Sequence, residues 1–234
     1  MSKLNNDTKG WGFVRVPGGA PQLAKSETDL MHKYECIYLD NKTNEKALYL
    51  TFDNGYENGF TPKILDVLKK QRVPVTFFIT GSYHNNQKAL VRRMLDEGHI
   101  VGNHSLTHPS MPSLTDREAF QKEIMDLHDN FHDEYGVKMK YFRPPMGEYS
   151  ERSLAMTREL GYTSVFWSLA YRDWETDNQK GADHAYAQVM DHLHDGCVIL
   201  LHSVSKDNAD ALERIIKDAR AKGYVFKSLD EYVY

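Results

Sequence analysis

Five short stretches of the chain carry side chains that can bind a metal ion or transfer a proton, and each follows an apolar run. The residues are Asp53 and Asn54 in TFDNG, His104 and His108 in HSLTH, Arg143 in RPPMG, Asp173 in YRDW and His202 in LLH. Imidazole and carboxylate groups together are typical of acid–base catalysis and of metal-assisted hydrolysis. The sequence therefore predicts a hydrolytic site, provided that the fold brings these stretches together.

Two pairs of histidines have the same spacing of four residues. His128 and His132 lie among acidic residues in a predicted helix, and we interpret them as part of a solvated outer face. His104 and His108 follow a predicted strand instead. Imidazoles four residues apart on a helical turn can chelate one divalent ion. The pair beyond the strand is therefore the predicted metal site.

The remaining residues fit the hydrolysis of an amide or an ester. A carboxylate can take a proton from the attacking water, which suggests Asp53 as the base, and His202 titrates in the range that an acid requires. Arg143 would hold Asp53 ionised, and Asp173 would stabilise protonated His202. Such pairs also occur as structural ion pairs, and a strand-end histidine can simply cap a loop. The assignment therefore depends on the convergence of all five stretches.

Seven apolar runs are predicted to be strands, at 47–52, 75–79, 99–103, 140–143, 164–169, 197–202 and 224–229. Stretches of helical spacing separate them. One begins with Thr61-Pro62, a cap and a first-turn proline, and another has Thr115 and Glu118 as a capping box. Left-handed C-caps are predicted at Gly98, Gly161, Gly196 and Gly223. This alternation predicts an α/β fold, a (β/α) barrel of about seven parallel strands whose carboxyl ends meet at one face.

Residues 1–45 do not follow this repeat. We predict a loop-rich lead-in there, packed on the barrel and loosest at residues 17–22, and a catalytic domain over residues 46–234. The formal net charge of −4 argues against a polycationic nucleic-acid surface. No apolar run approaches the roughly 20 residues of a membrane span. The first ten residues lack the apolar core of a signal peptide, as would also be true of an exported protein after its removal. Two cysteines give no disulfide framework.

The five motifs, in this order, resemble those of the polysaccharide deacetylases, the NodB-homology domain of carbohydrate esterase family four. The resemblance covers roughly residues 45–230. Two longer stretches resemble more closely the bacterial peptidoglycan N-acetylmuramic acid deacetylases involved in muramic δ-lactam formation in spore cortex. These stretches are YLTFDNGYENGFTPKILDVLK and GNHSLTHPSMPSL. The resemblance implies a distorted (β/α) barrel that removes acetyl groups from N-acetylated sugars.

The resemblance also implies roles for individual residues. The base, the acid and the two groups that tune them are Asp53, His202, Arg143 and Asp173. A divalent ion, which we expect to be Zn²⁺, is held by His104 and His108. Leu200 and Trp174 match residues that line the acetyl pocket, although by residue type alone Trp174 and Trp167 are more typical of a core.

Two positions depart from the family pattern. Asn54 stands where the family has a second Asp as the third metal ligand, and Ala170 replaces the first Asp of a D-x-x-D-W-like motif. A neutral amide oxygen is a weaker ligand than a carboxylate. We expect a retained but weaker metal site; in the alternative, Asn54 only shapes the turn and water completes the shell. The lost negative charge would favour an anionic sugar such as one with a lactyl carboxylate.

A lactyl carboxylate requires a positive partner. Met146 occupies the fourth position of RPPMG, where an arginine could have reached into the site. The nearest basic side chains in the sequence are Arg152, one helical turn beyond Tyr149, and Arg172. The predicted substrate-binding residues are therefore Leu200, Trp174, Tyr149, Met146, Arg152 and Arg172.

The leading hypothesis is a metal-assisted deacetylase of peptidoglycan glycan strands, acting on N-acetylmuramic acid, as a monomer facing the cell wall. One alternative is a deacetylase of N-acetylglucosamine polymers or chitooligosaccharides. Another is an inactive sugar-binding domain that lost its metal. The set of Asp53, Arg143, Asp173 and His202 argues against this last alternative, because a binding module requires no acid–base pairs.

Overall fold

The computed structural model describes residues 4–16 and 18–232. Its strands are β1 (Lys9–Gly10), β2 (Val14–Val16), β3 (Gly19–Gln22), β4 (Ala47–Asn54), β5 (Thr76–Ile79), β6 (Ile100–Asn103), β7 (Tyr141–Phe142), β8 (Glu148–Tyr149), β9 (Thr163–Ser164), β10 (Leu169–Ala170), β11 (Cys197–His202) and β12 (Val225–Phe226). Its α-helices are α1 (Lys25–Lys33), α2 (Thr61–Gln71), α3 (Gly81–Asn86), α4 (Lys88–Asp96), α5 (Arg117–Tyr135), α6 (Glu151–Glu159), α7 (Ala182–Met190) and α8 (Lys206–Ala221). Short 3₁₀ turns lie at Met111–Ser113, Pro145–Gly147 and Leu229–Glu231.

The core of the molecule is a parallel sheet with the strand order β10-β11-β4-β5-β6-β7-β9, and β12 pairs with the start of β4. The two end strands β9 and β10 are joined by residues 165–168 alone. Because so short a segment spans little more than about 14 Å, the sheet has to curl until its ends approach each other. The predicted distorted barrel of about seven parallel strands is confirmed.

The side chains of β4 alternate between two hydrophobic layers. Leu48, Leu50 and Phe52 belong to the large cluster that the flanking helices share, whereas Ala47 and Tyr49 belong to a smaller cluster inside the curled sheet. All eight residues of β4 are buried, as expected of a parallel strand covered on both faces.

Each predicted strand has a counterpart, but run 164–169 is not one strand. The structure divides it into β9 and β10, because residues 165–168 leave the sheet edge: Val165 bridges to Ile37, and Trp167 receives a hydrogen bond from Trp11. Gly98, Gly161 and Gly223 have the predicted positive φ angles directly after helices. Gly196 also has a positive φ angle, yet it lies beyond α7, where a Cβ atom would clash with the Asp40 carbonyl oxygen at 1.8 Å.

The lead-in is more regular than predicted. It contains helix α1 and an antiparallel pair, β2 with β3, so residues 19–22 of the expected loosest stretch form a strand, while residue 17 lies outside the described residues. Trp11 fixes the lead-in to the barrel, since its indole N–H donates to the Trp167 carbonyl at 2.8 Å and its ring stacks on Phe166. The predicted cap of α5 is also corrected: Asp116, not Thr115, accepts the hydrogen bond at the helix start.

Candidate active site

The chemically active side chains meet at the carboxyl end of the parallel sheet. Asp53 and His202 are direct neighbours in the register between β4 and β11. His104 follows β6, and Arg143 follows β7. Parallel strands place their carboxyl ends at one edge, so four distant segments of the chain contribute to one site. The convergence that the sequence predicts is present in the structure.

Asp53 is held by a fully buried arginine. Arg143 Nη1 donates to Asp53 Oδ1 at 2.8 Å. The Nε and Nη2 atoms of Arg143 donate to the carbonyl oxygens of Val165 and Phe166, and its guanidinium lies 4.2 Å from the centre of the Phe78 ring. Burial by itself opposes ionisation of Asp53, but the charge of Arg143 and the neighbouring imidazoles lower the pKa of Asp53 below its usual value.

At His202 the charges are reversed: an imidazole is paired with a buried carboxylate, whereas Asp53 is a carboxylate paired with a buried arginine. The Nδ1–H of His202 donates to Asp173 Oδ1 at 2.7 Å, while its backbone N–H donates to Asp173 Oδ2 at 2.7 Å. Asn208 Nδ2 donates to the same Oδ2 atom at 2.5 Å, so Asp173 is fixed from three sides. Burial by itself favours neutral imidazole, but the charge of Asp173 and its hydrogen bond raise the pKa of His202. Because Nδ1 is bound to Asp173, Nε2 is the atom available to a substrate.

His104 and His108 lie in a loop, which corrects the expectation of a helical turn. Ser105 and His108 both have positive φ angles, of 68° and 63°. The Ser105 N–H donates to the Asn103 side chain, and the His108 N–H donates to Ser105 Oγ. Glu123 of α5 accepts hydrogen bonds from the N–H and hydroxyl groups of Thr107. These contacts hold a compact loop that regular helical geometry would not produce.

The two imidazoles converge through their Nε2 atoms, which are 3.2 Å apart. His104 Nδ1–H donates to the Arg143 carbonyl oxygen at 2.8 Å, which leaves a lone pair on Nε2. Burial lowers the pKa of His104 to about 4 and also lowers the pKa of His108, so both rings are neutral near pH 7. Two nitrogens bound at about 2.0–2.1 Å to a tetrahedral Zn²⁺ would be about 3.3–3.4 Å apart. The pair therefore fits a zinc-like ion.

Asn54 directly follows Asp53 as the last residue of β4 and is fully buried. Its Oδ1 atom accepts a hydrogen bond from Ser203 Oγ at 3.1 Å, and its Nδ2 atom is buried without a hydrogen-bond partner. Neither cavity at the site is lined by Asn54. Among residues 4–16 and 18–232, no three His, Cys, Asp or Glu side chains form a complete metal site. The predicted role of Asn54 as third ligand stays a prediction.

Two cavities open on the reactive side chains. The larger has a volume of about 540 Å³ and the smaller about 340 Å³. They share Asp53, His104, His108, Trp174 and His202. The reactive centre is therefore the junction of two arms of one groove.

The smaller arm is apolar, and it contains three of the predicted substrate-binding residues. Leu200, Trp174 and Met146 line it together with Trp167 and Gly147. Gly147 has a φ angle of 67°, and a Cβ atom there would lie 2.8 Å from the Trp167 ring, so a glycine is needed for this close packing. An arm of this composition suits a methyl group.

The other three predicted substrate-binding residues do not line either cavity. Tyr149 is fully buried and packs edge-on against Phe166. Arg152 donates to two backbone carbonyl groups, those of residues 114 and 115. Arg172 is largely exposed and lies 3.5 Å from Glu175. Nearness in sequence did not place these side chains in the groove, because each turns towards a partner of its own.

Sequence reasoning did not single out Tyr56, which lines the larger arm and is 55% exposed. The signal was present: an aromatic residue directly follows the Asp53 motif and belongs to no apolar run. The outer-face interpretation of His128 and His132 needs correction as well. His128 hydrogen-bonds the Tyr162 hydroxyl at 2.5 Å, and Nδ1 of His132 is buried.

Comparison with known proteins identifies relatives of this site. The family described as polysaccharide deacetylase matches residues 40–165. The peptidoglycan-N-acetylmuramic acid deacetylase PdaA of Bacillus subtilis is 47% identical over 98% of this chain and 87% of its own length. A chitooligosaccharide deacetylase of Sinorhizobium fredii is 32% identical, over 81% of this chain and 93% of its own.

Solved structures of related proteins share this fold. The structure of Bacillus subtilis PdaA, a family 4 carbohydrate esterase, superposes with a TM-score of 0.94 at 46% identity and covers 98% of both chains. A family 4 carbohydrate esterase from Bacillus anthracis superposes with a TM-score of 0.82 at 46% identity, over 98% of this chain and 97% of that one. The fold and the arrangement of the sheet are therefore shared along nearly the whole chain.

Proposed function

The chain belongs to the polysaccharide deacetylase family, a family of hydrolases that act on amide bonds, and from this premise we propose that it removes N-acetyl groups from N-acetylmuramic acid in peptidoglycan. One observation carries the proposal: a carboxylate paired with Arg143 and an imidazole paired with Asp173 face one cavity that also contains two convergent imidazoles. A base, an acid and a metal-binding pair are the groups that hydrolysis of an acetamide requires.

His104 and His108 are the residues that would hold the divalent ion, which we propose to be Zn²⁺. When bound, such an ion polarises the acetyl carbonyl and lowers the pKa of a water molecule. We propose Asn54 as a weak third ligand. Its amide oxygen has two lone pairs and can accept from Ser203 while it binds a cation. A neutral ligand in this position would leave the ion weakly held.

The chain's own residues move the protons. Asp53 Oδ1 is engaged by Arg143, so Oδ2, 3.5 Å from His104 Nε2, is the oxygen that takes a proton from the attacking water. The water oxygen forms a bond to the acetyl carbon, and the bond from that carbon to the sugar nitrogen then breaks. His202 Nε2 gives its proton to the departing nitrogen. The products are acetate and a free amine on the sugar.

The apolar arm would receive the acetyl methyl group. Leu200, Trp174, Met146 and Trp167 form its walls, and they exclude water from the side of the acetyl group opposite the sugar. Binding there orients the carbonyl towards the imidazole pair and the nitrogen towards His202. From this placement we expect a preference for acetyl over larger acyl groups.

The proposed preference for N-acetylmuramic acid is supported by the charge of the site as well as by sequence similarity to PdaA. The neutral Asn54 makes the site one unit more positive than a carboxylate would, which favours a lactyl carboxylate. Since Arg152 and Arg172 lie outside the groove, we propose that the carboxylate responds to the net charge of the site and makes no ion pair with either residue. The freed amine can then condense with that carboxylate to give muramic δ-lactam.

The decisive experiment compares kcat/KM on peptide-free glycan strands with kcat/KM on chitin oligomers of equal length, at low and high salt and with added divalent ions. We expect faster acetate release from the glycan strands, with a preference that weakens at high salt. Preference for chitin oligomers in both conditions would favour the chitooligosaccharide alternative. Absence of acetate from every substrate, with metal present, would favour the inactive sugar-binding alternative.

We further propose that residues 1–45 form one unit with residues 46–234, and that the chain acts as a monomer on the cell-wall side of the membrane. The contact of Trp11 with Trp167 and Phe166 supports a single unit. Within the described residues, no helix is long and apolar enough to cross a membrane. Light scattering of the purified protein would test the monomer, since a mass of twice 27.0 kDa would contradict it.

A further inference from the structure

Tyr56 is a large exposed aromatic residue that neither the proton transfers nor the acetyl arm uses. It is 55% exposed and lines the larger arm of the groove, which also includes Trp174. No hydrogen bond joins its hydroxyl to any described residue. Trp174 is also 48% exposed, so two exposed aromatic rings line one cavity, and an exposed apolar patch within a groove is typical of a ligand-binding site.

The loop that carries Tyr56 is held on both sides. The Gly55 carbonyl oxygen accepts a hydrogen bond from Thr80 Oγ1 at 3.2 Å. Glu57 accepts from the Gly59 N–H at 2.7 Å and from the Tyr83 hydroxyl at 3.1 Å. The ring is therefore presented by an ordered backbone. A ligand that stacks on it pays little of the entropy cost of ordering a loop.

The lining of this arm indicates what kind of group it receives. Beyond the shared reactive residues, the arm is lined by Gly55, Tyr56, Thr80, Ser82, Leu106, Thr107 and Val204. These described residues carry no formal charge, and they combine one aromatic face with four hydroxyl groups, that of Tyr56 included. A pyranose ring offers the matching surfaces, an apolar face of C–H groups and an edge of hydroxyls. A stem peptide with free carboxylates finds no counter-charge there.

We propose that Tyr56 is the platform for the sugar that adjoins the one being deacetylated. This inference deepens the proposed function and rests on it. The reacting sugar lies at the junction of the two arms, with its acetyl group in the apolar arm. The glycan strand continues along the larger arm, where the neighbouring ring lies against Tyr56. The protein thus selects a chain of at least two sugars over a single N-acetyl sugar.

The test measures binding and turnover separately. Calorimetry on metal-free protein with peptide-free glycan strands reports affinity without any reaction. We expect Tyr56→Ala to weaken this affinity about tenfold, the scale of one aromatic contact. Tyr56→Phe keeps the ring and should retain most of the affinity. Val137→Ala is the matched control, since Val137 is an exposed apolar residue that lines neither cavity.

A second readout is kcat/KM on oligosaccharides of increasing length. The loss caused by Tyr56→Ala should grow between one sugar and two or more, and it should appear mainly in KM. Wild-type affinity in Tyr56→Ala would overturn the inference. So would an equal loss in Tyr56→Phe, which would assign the effect to the hydroxyl, or a loss seen only with strands that keep their stem peptides.

The two proposals fail in different ways. If neither the wild type nor any variant releases acetate, while Tyr56→Ala still weakens strand binding, the deacetylase proposal fails and the sugar platform stands. If acetate is released and Tyr56→Ala binds strands as the wild type does, the platform fails and the deacetylase proposal stands.

Discussion

The two histidine pairs of this chain have the same spacing and different surroundings. His128 and His132 lie within helix α5, where residues four apart are neighbours on one face. His104 and His108 lie in a loop beyond β6, and their Nε2 atoms approach to 3.2 Å. In the helical pair, His128 turns towards the hydroxyl of Tyr162. Identical spacing thus produces two converging ring nitrogens in one region and a packing contact in the other.

The difference arises from the contacts behind each ring. His104 Nδ1–H is bound to the carbonyl oxygen of Arg143, so its Nε2 lone pair faces the cavity. The guanidinium of the same Arg143 holds Asp53, so one residue contacts both Asp53 and the His104 ring. His128 has its Nδ1 atom engaged by Tyr162 on the helix side of the sheet. A histidine pair is suited to bind a metal ion when a hydrogen bond to one ring nitrogen leaves the other nitrogen facing a cavity.

The strongest test of this comparison removes one ring from each pair. His104→Ala and His108→Ala should abolish zinc binding and lower acetate release by about a thousandfold or more, because they remove metal ligands. His128→Ala is the matched control and should leave zinc affinity unchanged. Titration calorimetry of the metal-free proteins measures the zinc affinity of all three variants. Loss of zinc binding in His128→Ala, or its survival in His104→Ala, would reverse the assignment of the two pairs.

A second test asks whether Asp53 and His202, beside the loop pair, serve one reaction as the proposed base and acid. Asp53→Asn and His202→Ala should each lower kcat by about a hundredfold or more while the fold stays intact. The double variant should lose far less than the product of the two effects, because both residues serve one reaction. Circular dichroism checks the fold. Near-wild-type turnover in either single variant would remove that residue from the mechanism.

A third test concerns Asn54, the proposed third ligand beside the loop pair. Asn54→Asp should tighten zinc binding by about tenfold, since a carboxylate is a stronger partner for a dication than an amide. Asn54→Ala should weaken zinc binding if the amide oxygen coordinates. Calorimetric titration of the three proteins gives the comparison. Equal affinity in all three would mean that Asn54 serves only its hydrogen bond with Ser203.

A fourth test uses the pH dependence of kcat/KM to distinguish His202, the proposed acid, from His104 and His108. The pKa of His202 is raised by Asp173, so the protonated acid is present below that pKa and is lost as pH rises through it. Asp173→Asn removes the charge that raises the pKa of His202. The alkaline limb of the kcat/KM profile should therefore move to lower pH, with a severalfold loss of rate at alkaline pH. An unmoved limb would show that another group sets it.

The smallest effect is expected at the helical pair. Tyr162→Phe removes the hydrogen bond to His128 and a longer one from Asn103 Nδ2 at 3.4 Å, and it should lower the free energy of unfolding by about 1 kcal/mol. Acetate release and zinc affinity should stay at wild-type values. Denaturant unfolding measures the first quantity, and the assays above measure the others. A change in zinc affinity would show that the two regions are coupled through Asn103, whose Nδ2 atom lies 3.4 Å from the Tyr162 hydroxyl and whose Oδ1 atom accepts from the Ser105 N–H.

The sequence by itself determined most strands of the central sheet and which of them are followed by reactive side chains. Parallel strands are covered on both faces, so β4 and β11 appear as unbroken apolar runs. Asp53 and His202 end these runs, and parallel register alone makes them neighbours. The signals for helix ends were also local in sequence. Gly98, for example, adopts a left-handed φ angle that few other residues tolerate. Signals of this kind depend on residues close together in the chain.

Tertiary structure decided the rest, because it depends on partners far away in the chain. The loop at His104 is held by Glu123 and by the Arg143 carbonyl, and neither contact follows from the spacing of the histidines. Arg152 is nearest in sequence to the expected carboxylate site, yet it donates to carbonyl groups 37 and 38 residues away. Tyr56 remains exposed because Thr80 and Tyr83 hold its loop from another helix. A side chain's direction is set by whichever distant group satisfies its hydrogen bonds, and only the folded chain brings that group near.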